Sequence, residues 1–133
     1  MIIVDSSVWI DYFTGKRSPG AEKLDSLLGK ELVAIGDLIL IEVLQGFRAE
    51  KDFRQARKLL LSLTVVNMLD TAITQKSAVN FRTLRKKGVT VRKTIDAIIA
   101  TYCIENKFPL LHSDKDFQPF HKHLKLKNAV ADA

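Results

Sequence analysis

A single cysteine, Cys103, among 133 residues leaves no partner for an internal disulfide, and nothing here points to an oxidising compartment. No apolar run approaches the roughly 20 residues needed to cross a bilayer. The first residues, Met1-Ile2-Ile3-Val4, carry no basic stretch ahead of an apolar one, so no signal peptide is read and a cytoplasmic location is expected. Repeats, low-complexity tracts and Pro- or Gly-rich linkers are also missing. The expectation is therefore one domain, residues 1–133, around one core. There is no phosphate-binding glycine loop, no dinucleotide fingerprint and no Ser/His/Asp arrangement, which removes the commonest nucleotide-binding and covalent-hydrolase signatures.

Negative charge is in short supply too. Lysine and arginine number 21 against 15 acids, a formal net charge of +6. Such a balance favours a polyanionic partner. The excess is clustered: Arg82, Arg85, Lys86, Lys87, Arg92 and Lys93 fall in twelve residues without an acid among them.

The pattern along the chain alternates short apolar strands with helices. Strands are expected at 2–4, 32–35, 64–66 and 109–112, with a further edge strand at 124–127 from its apolar–basic alternation. Asp5-Ser6-Ser7 is positioned to cap a helix running to Gly15. Helices follow over 21–28, from Asp37 to about Gly46, over 50–63, over 71–87 with Ile73, Ala78, Phe81 and Leu84 inward, and from a Thr94 cap onward. In the last of these, Ile95, Ile98, Ile99, Tyr102 and Cys103 form one apolar stripe. A short helix follows Ser113-Asp114, and the tail after Asn128 is expected to fray. Alternating strands and helices of this kind argue for a parallel sheet covered on both faces.

The most informative residue is Glu42. It stands in Leu38-Ile39-Leu40-Ile41-Glu42-Val43-Leu44, where every other side chain is large and apolar. A helix apolar all round is normally buried. A buried carboxylate is costly unless it is paired, protonated or bound to a cation. Asp5 follows one apolar run, Asp96 precedes another, and Asp114 and Asp116 follow a third. In an open parallel sheet, ligands bind beyond the carboxyl ends of the strands, where strand order reverses. If the strands ending before Asp5 and Asp114 are neighbours, both acids emerge at one edge. An all-oxygen donor set suits Mg²⁺ or Mn²⁺ rather than zinc. Beside a basic stripe, such a cation points to phosphate chemistry. The plainer explanation is that Asp5, Asp96 and Asp114 cap helices and favour the helix dipole. For Glu42 it is a buried ion pair. Asp116 reads as a further ligand or a solvated first-turn acid. Ser6, Ser7 and Ser113 read as caps or as supports for the site. Arg92 and Lys93 precede the Asp96 helix and read as candidates for phosphate contacts or as a solvated loop. His121 and His123 lie two apart and point away from each other on a helix. His112 reads as a core-edge or site-lining residue.

The stretches Ile3-Val4-Asp5-Ser6-Ser7-Val8-Trp9-Ile10, Glu42 in its apolar helix, Asp96-Ala97-Ile98-Ile99-Ala100 and Leu110-Leu111-His112-Ser113-Asp114-Lys115-Asp116-Phe117, in this order, resemble the signature stretches of PIN-domain ribonucleases. The resemblance is closest to VapC-type toxins of toxin–antitoxin pairs and covers essentially the whole chain. It implies an α/β/α sandwich with a central parallel sheet. It implies a Mg²⁺- or Mn²⁺-dependent endoribonuclease in which Asp5, Glu42, Asp96 and Asp114 form the acidic quartet. Asp116 matches a less regular acidic position and Ser7 a small polar one. The partners implied are RNA, a small antitoxin and a second copy of the chain; no membrane is involved. The expected reaction is hydrolysis of an RNA phosphodiester by metal-activated water. Alternatives are a non-toxin nuclease or non-catalytic RNA-binding domain of this fold. A phospho-acceptor signalling domain is a third, although it calls for adjacent acids after the first strand, where Ser6-Ser7 stand.

Overall fold

The computed structural model describes residues 1–129. The first strand, β1 (Ile2–Val4), runs into α1 (Ser6–Thr14) and α2 (Pro19–Leu27). Then come β2 (Val33–Gly36), α3 (Asp37–Leu44), α4 (Glu50–Leu61), β3 (Thr64–Val66), α5 (Thr71–Lys86), α6 (Thr94–Asn106) and β4 (Leu110–Leu111). A single 3₁₀ turn, Lys115–Phe117, leads into α7 (Gln118–Leu124). The four strands form one parallel sheet in the order β3-β2-β1-β4. Helices flank it in two packed groups, α1 to α4 and α5 to α7, which makes the expected α/β/α sandwich.

Strands β1, β2 and β4 are largely buried because they are apolar on both faces, while β3, at the edge, is mostly exposed. Ile3, Val4, Ala34, Ile35, Leu110 and Leu111 are each 0% exposed. Gly36, where β2 enters α3, is required by packing: a Cβ there would overlap the Met68 side chain. Asp37 then ties this corner down, its Oδ1 accepting from the N–H groups of Leu38 (2.8 Å) and Met68 (3.1 Å). Strand order runs outward as 1-2-3 on one side and jumps to β4 on the other, so the reversal point lies between β1 and β4. The register Ile3↔Leu110 and Val4↔Leu111 sets the residues after the two strands side by side. Asp5 N–H donates to the Leu111 carbonyl at 2.8 Å and extends the pairing to the site itself.

Several local expectations are corrected. The segment 124–127 is not a regular strand: Leu124 ends α7, and Lys125 turns through positive φ. The alternation in that segment is real but comes from docking. Leu126 is buried, and a parallel bridge joins Asn128 to Leu110. Ala129, the one described residue of the expected frayed tail, is likewise buried and donates to the Leu110 carbonyl, so it is docked rather than frayed. The rest of the expected tail, 130–133, lies outside the described residues. On α5 the inward face is Ile73, Ser77, Asn80 and Leu84, whereas Ala78 is exposed. Ser77 and Asn80 hid that face from an apolar count, and Asn80 earns its burial by donating to Thr101 Oγ1 at 3.0 Å. The first residue outside α6 is Lys93 rather than Thr94.

The largest correction concerns α3. Ile39 and Val43 are buried, but Ile41 is 59% exposed and Glu42 is half-buried. The apolar surround of Glu42 is therefore only in part the core. Its outer side is a surface, and sequence reports the chemistry of a helix face without saying what covers it.

Candidate active site

Asp5 leaves the end of β1 with its side chain folded back onto α1. Its Oδ2 accepts from Ser7 N–H at 3.1 Å and from Ser7 Oγ–H at 2.7 Å. The Ser7 hydroxyl in turn accepts from Ser113 N–H at 3.1 Å. One serine thus joins the β1 and β4 ends. Ser113 contributes through its backbone, not its hydroxyl. Its position is also set by Gly20 of α2, where a Cβ would lie 2.8 Å from Ser113 Oγ and 2.9 Å from Val8. Asp114 caps the 3₁₀ turn: its Oδ1 accepts from Asp116 N–H at 2.9 Å. Asp96 sits in the first turn of α6, buried, with Oδ2 lacking any hydrogen-bond partner. Glu42 Oε1 is also buried without a partner.

One carboxylate oxygen from each of Asp96, Asp114 and Asp116 lies within 4.8 Å of the others. Asp5 and Glu42 border this triad electrostatically. Burial pushes the Asp5 carboxyl up, opposed by the Ser7 hydrogen bonds and helped by the negative charge of Asp114. Burial also raises Glu42, with Asp5 adding to the effect and Ser6 and Lys93 opposing it. Asp96 is pushed to about 7, first by burial and then by Asp5 and Asp114; Lys93 opposes this and Glu42 adds to it. Asp5, Glu42 and Asp96 thus each feel the charge of at least one other member of the expected quartet. The cluster fits a hard divalent cation: its donors are all carboxylate oxygens, Asp96 has a buried and unsatisfied oxygen, and so does Glu42 at its border.

The PIN-domain family model matches residues 2–122. This chain belongs to the PIN-domain family. It is 30% identical over 119 residues to a VapC ribonuclease of Mycobacterium bovis and, equally, to ribonuclease VapC11 of Mycobacterium tuberculosis; the match spans 88% of this chain and 89% of each relative. Among solved structures, VapBC2 from Rickettsia felis, bound to a DNA fragment from its promoter, superposes with TM-score 0.72 at 19% identity, covering 96% of this chain and 97% of that one. VapBC-1 from nontypeable Haemophilus influenzae gives 0.71 at 21% identity, covering 96% of each. These structures share its fold.

Around the PIN acidic cluster, Arg92 reaches Asp116 at 4.0 Å but is 73% exposed, a geometry of little energetic weight that leaves the guanidinium free to meet another anion. The charge of Lys93 acts on both Glu42 and Asp96. A groove of about 350 Å³ opens beside the acids, lined by Val91, Arg92, Asp96, Lys115, Asp116 and Gln118 among others. Tyr12 and Phe13 pack on Trp9, which is fully buried, so Trp9 belongs to the core. Cys103 is buried and its thiol is pushed up by burial, a core residue without reactivity.

Sequence reasoning missed the pairing of His112 with His121. Their Nε2 atoms are 2.8 Å apart. His112 is buried, and its pKa falls to about 4, chiefly through burial and then through His121. The available signal was His112 at a strand end beside Asp114. Its partner arrives from α7 through tertiary packing, and no local spacing announces that.

Proposed function

We propose that this chain is a Mg²⁺- or Mn²⁺-dependent endoribonuclease and the toxin of a toxin–antitoxin pair, formed by one domain and acting in the cytoplasm. The observation that carries the reading is Asp96: a buried carboxylate with an unsatisfied oxygen, its proton affinity raised first by burial and then by three neighbouring acids, at the reversal point of a parallel sheet. Such a group is unfavourable in isolation and favourable against a cation.

Asp96, Asp114 and Asp116 would hold the cation directly, with Asp5 and Glu42 adding negative charge at its border. When bound, the cation makes a water more acidic and neutralises charge building on the phosphoryl oxygens. Ser7 holds the Asp5 carboxylate and the Ser113 backbone in fixed relation. Arg92, Lys93 and Lys115 meet the RNA phosphates flanking the scissile bond, with the chain lying along the groove that begins at Asp96 and Asp116. Water attacks phosphorus and the P–O3′ bond breaks, leaving a 5′-phosphate and a 3′-hydroxyl.

The names of the relatives, VapC ribonucleases and VapBC pairs, support an antitoxin partner and a ribonuclease activity. The unburied apolar side chains Ile10, Ile41, Leu61 and Val79 support contact with protein, both the antitoxin and a second copy of this chain. Among the described residues no helix is long and apolar enough to cross a membrane.

The test is cleavage of defined RNA by the purified protein with Mg²⁺ or Mn²⁺, against Asp96→Asn and against EDTA. Folded Asp96→Asn should lose activity by about a thousandfold or more. Undiminished cleavage by that variant, or by wild type after complete chelation, refutes the proposal. Light scattering of the free protein tests the dimer.

A further inference from the structure

The His112–His121 pair forms the middle of a hydrogen-bond chain whose two ends determine its proton positions. At one end the Asp114 backbone N–H, which can only donate, points at His112 Nδ1 at 3.2 Å. That nitrogen is therefore bare. At the other end His121 Nδ1 lies 2.7 Å from the Leu126 carbonyl, which can only accept. That nitrogen therefore carries a proton. A neutral His112 with bare Nδ1 has its proton on Nε2, and a neutral His121 protonated at Nδ1 has Nε2 bare. The two Nε2 atoms are then a matched donor and acceptor, and they stand 2.8 Å apart. Two protonated or two bare nitrogens at that distance would repel. The three links agree on one tautomer for each ring.

We infer that His121 is a positioning residue which, through His112, holds the Asp114 backbone and so aims its carboxylate into the acidic cluster. The chain starts at the Leu126 carbonyl, in a segment that is itself anchored: Leu126 N–H donates to the Phe120 carbonyl, and Lys127 accepts from Leu110 N–H on β4. The rings are stacked with centroids 5.0 Å apart, and Phe117 packs against His112 at 4.9 Å, which restricts their rotation. The site loop is thus held from two sides: Ser7 grips Ser113 from the β1 end, and α7 grips Asp114 through two imidazoles. A zinc ion between the two Nε2 atoms is a poor alternative. His112 would then lack a proton on both nitrogens, because its Nδ1 already accepts from Asp114.

The inference rests on Asp114 being a cation ligand as proposed above. The first measurement is independent of that: ¹⁵N-histidine NMR of the wild-type protein. His112 should be the Nε2–H tautomer and His121 the less common Nδ1–H tautomer. The opposite assignment at either ring overturns the relay, as does stoichiometric Zn²⁺ binding by the pair. The second measurement is Mg²⁺ affinity by calorimetry on His121→Phe, His121→Gln and Asp114→Asn. The phenyl ring keeps the packing and breaks the chain, so binding should weaken by about tenfold, as for other residues that orient a ligand. A glutamine can accept from His112 with its oxygen and donate to Leu126 with its amide, so affinity should stay near wild type. Folded His121→Phe with wild-type affinity overturns the proposal, provided Asp114→Asn binds weakly. If Asp114→Asn itself binds Mg²⁺ normally, it is the ligand assignment that fails. Should His121→Phe not fold, the wild-type tautomers and the glutamine variant still decide.

Discussion

Removing the charge of Asp96 should stabilise the cation-free protein at alkaline pH. The group's ordinary value of 3.8 rises to about 7 in the folded chain. Between these values the folded state keeps a proton that the unfolded state releases. Stability conferred by that proton is complete below pH 4 and is lost as pH rises through 7. At about 1.4 kcal/mol per tenfold change in proton affinity, full loss amounts to about 4 kcal/mol. Local rearrangement and water entry around the ionised carboxylate relieve part of it, so about 2 kcal/mol is the working expectation. Asp5 and Glu42 are raised by the same burial and act in the same direction. In EDTA, wild type should therefore melt higher at pH 5 than at pH 8. Asp96→Asn should exceed wild type at pH 8 by roughly 5 to 10 °C, given the size of the domain, and match it within a few degrees at pH 5. Adding Mg²⁺ at pH 8 should reverse the order: a cation at a hundred times its Kd adds about 2.7 kcal/mol to wild type and far less to the variant. Circular-dichroism melts across pH 5 to 8.5 measure all of this. An Asp96→Asn protein that is no more stable than wild type at pH 8 without metal would show that the carboxylate is not strained, and the case for a cation there would lose its main support.

Three further outcomes follow from particular contacts. Ser7→Ala removes the hydroxyl's hydrogen bond to Asp5 and the one it accepts from Ser113, while the backbone N–H bond to Asp5 remains; cleavage should fall about tenfold at saturating Mg²⁺, with a stability loss of about 1 kcal/mol in denaturant titrations, and unchanged cleavage would contradict the bridging role. Gly20→Ala places a methyl against Ser113 and Val8, so it should cost about 1 to 3 kcal/mol and lower activity through the displaced loop; a neutral effect on both would mean the helix shifts freely. Arg92→Ala with Lys93→Ala should weaken RNA binding and reduce the slope of log affinity against log salt by about one to two, while an unchanged slope would place the phosphates elsewhere.

Much of this architecture is legible in the chain because apolar runs have nowhere else to go. Ile2-Ile3-Val4 and Leu110-Leu111, without polar alternation, must be covered on both faces, and that requirement alone implies helices on each side. Proximity of Asp5 and Asp114 then depended on one unread fact, the adjacency of β1 and β4, which strand pairing supplies. What stayed hidden involves groups whose partners are distant in sequence. The inward face of α5 is marked by Asn80 meeting Thr101, and the α7 contact with the site by His121 meeting His112. Polar residues at such positions look solvent-facing until the partner is known. Glu42 was legible for an incomplete reason: its neighbour Ile41 faces out, so the apolar company that singled it out is partly exposed surface.

Whether the aspartates cap helices or form a site is a false choice in this topology. In a parallel sheet, the carboxyl end of each strand is also where the next helix begins, so capping acids gather where ligands bind. Asp5 caps α1 at the border of the cluster, and Asp114 caps the 3₁₀ turn as a member of it. Asp70 provides the contrast. It caps α5 by accepting from Ile73 N–H at 2.8 Å, yet it is exposed and stands away from the reversal point between β1 and β4. Capping chemistry is identical in the three; position in the sheet separates them. Asp96 completes the distinction, since it lies in a first turn without making a cap hydrogen bond and leaves one buried oxygen unsatisfied. A helix start explains an acid that uses its oxygens on the helix. It does not explain one that stands beside two other carboxylates with an oxygen buried and unsatisfied, and that surplus is what a cation would satisfy.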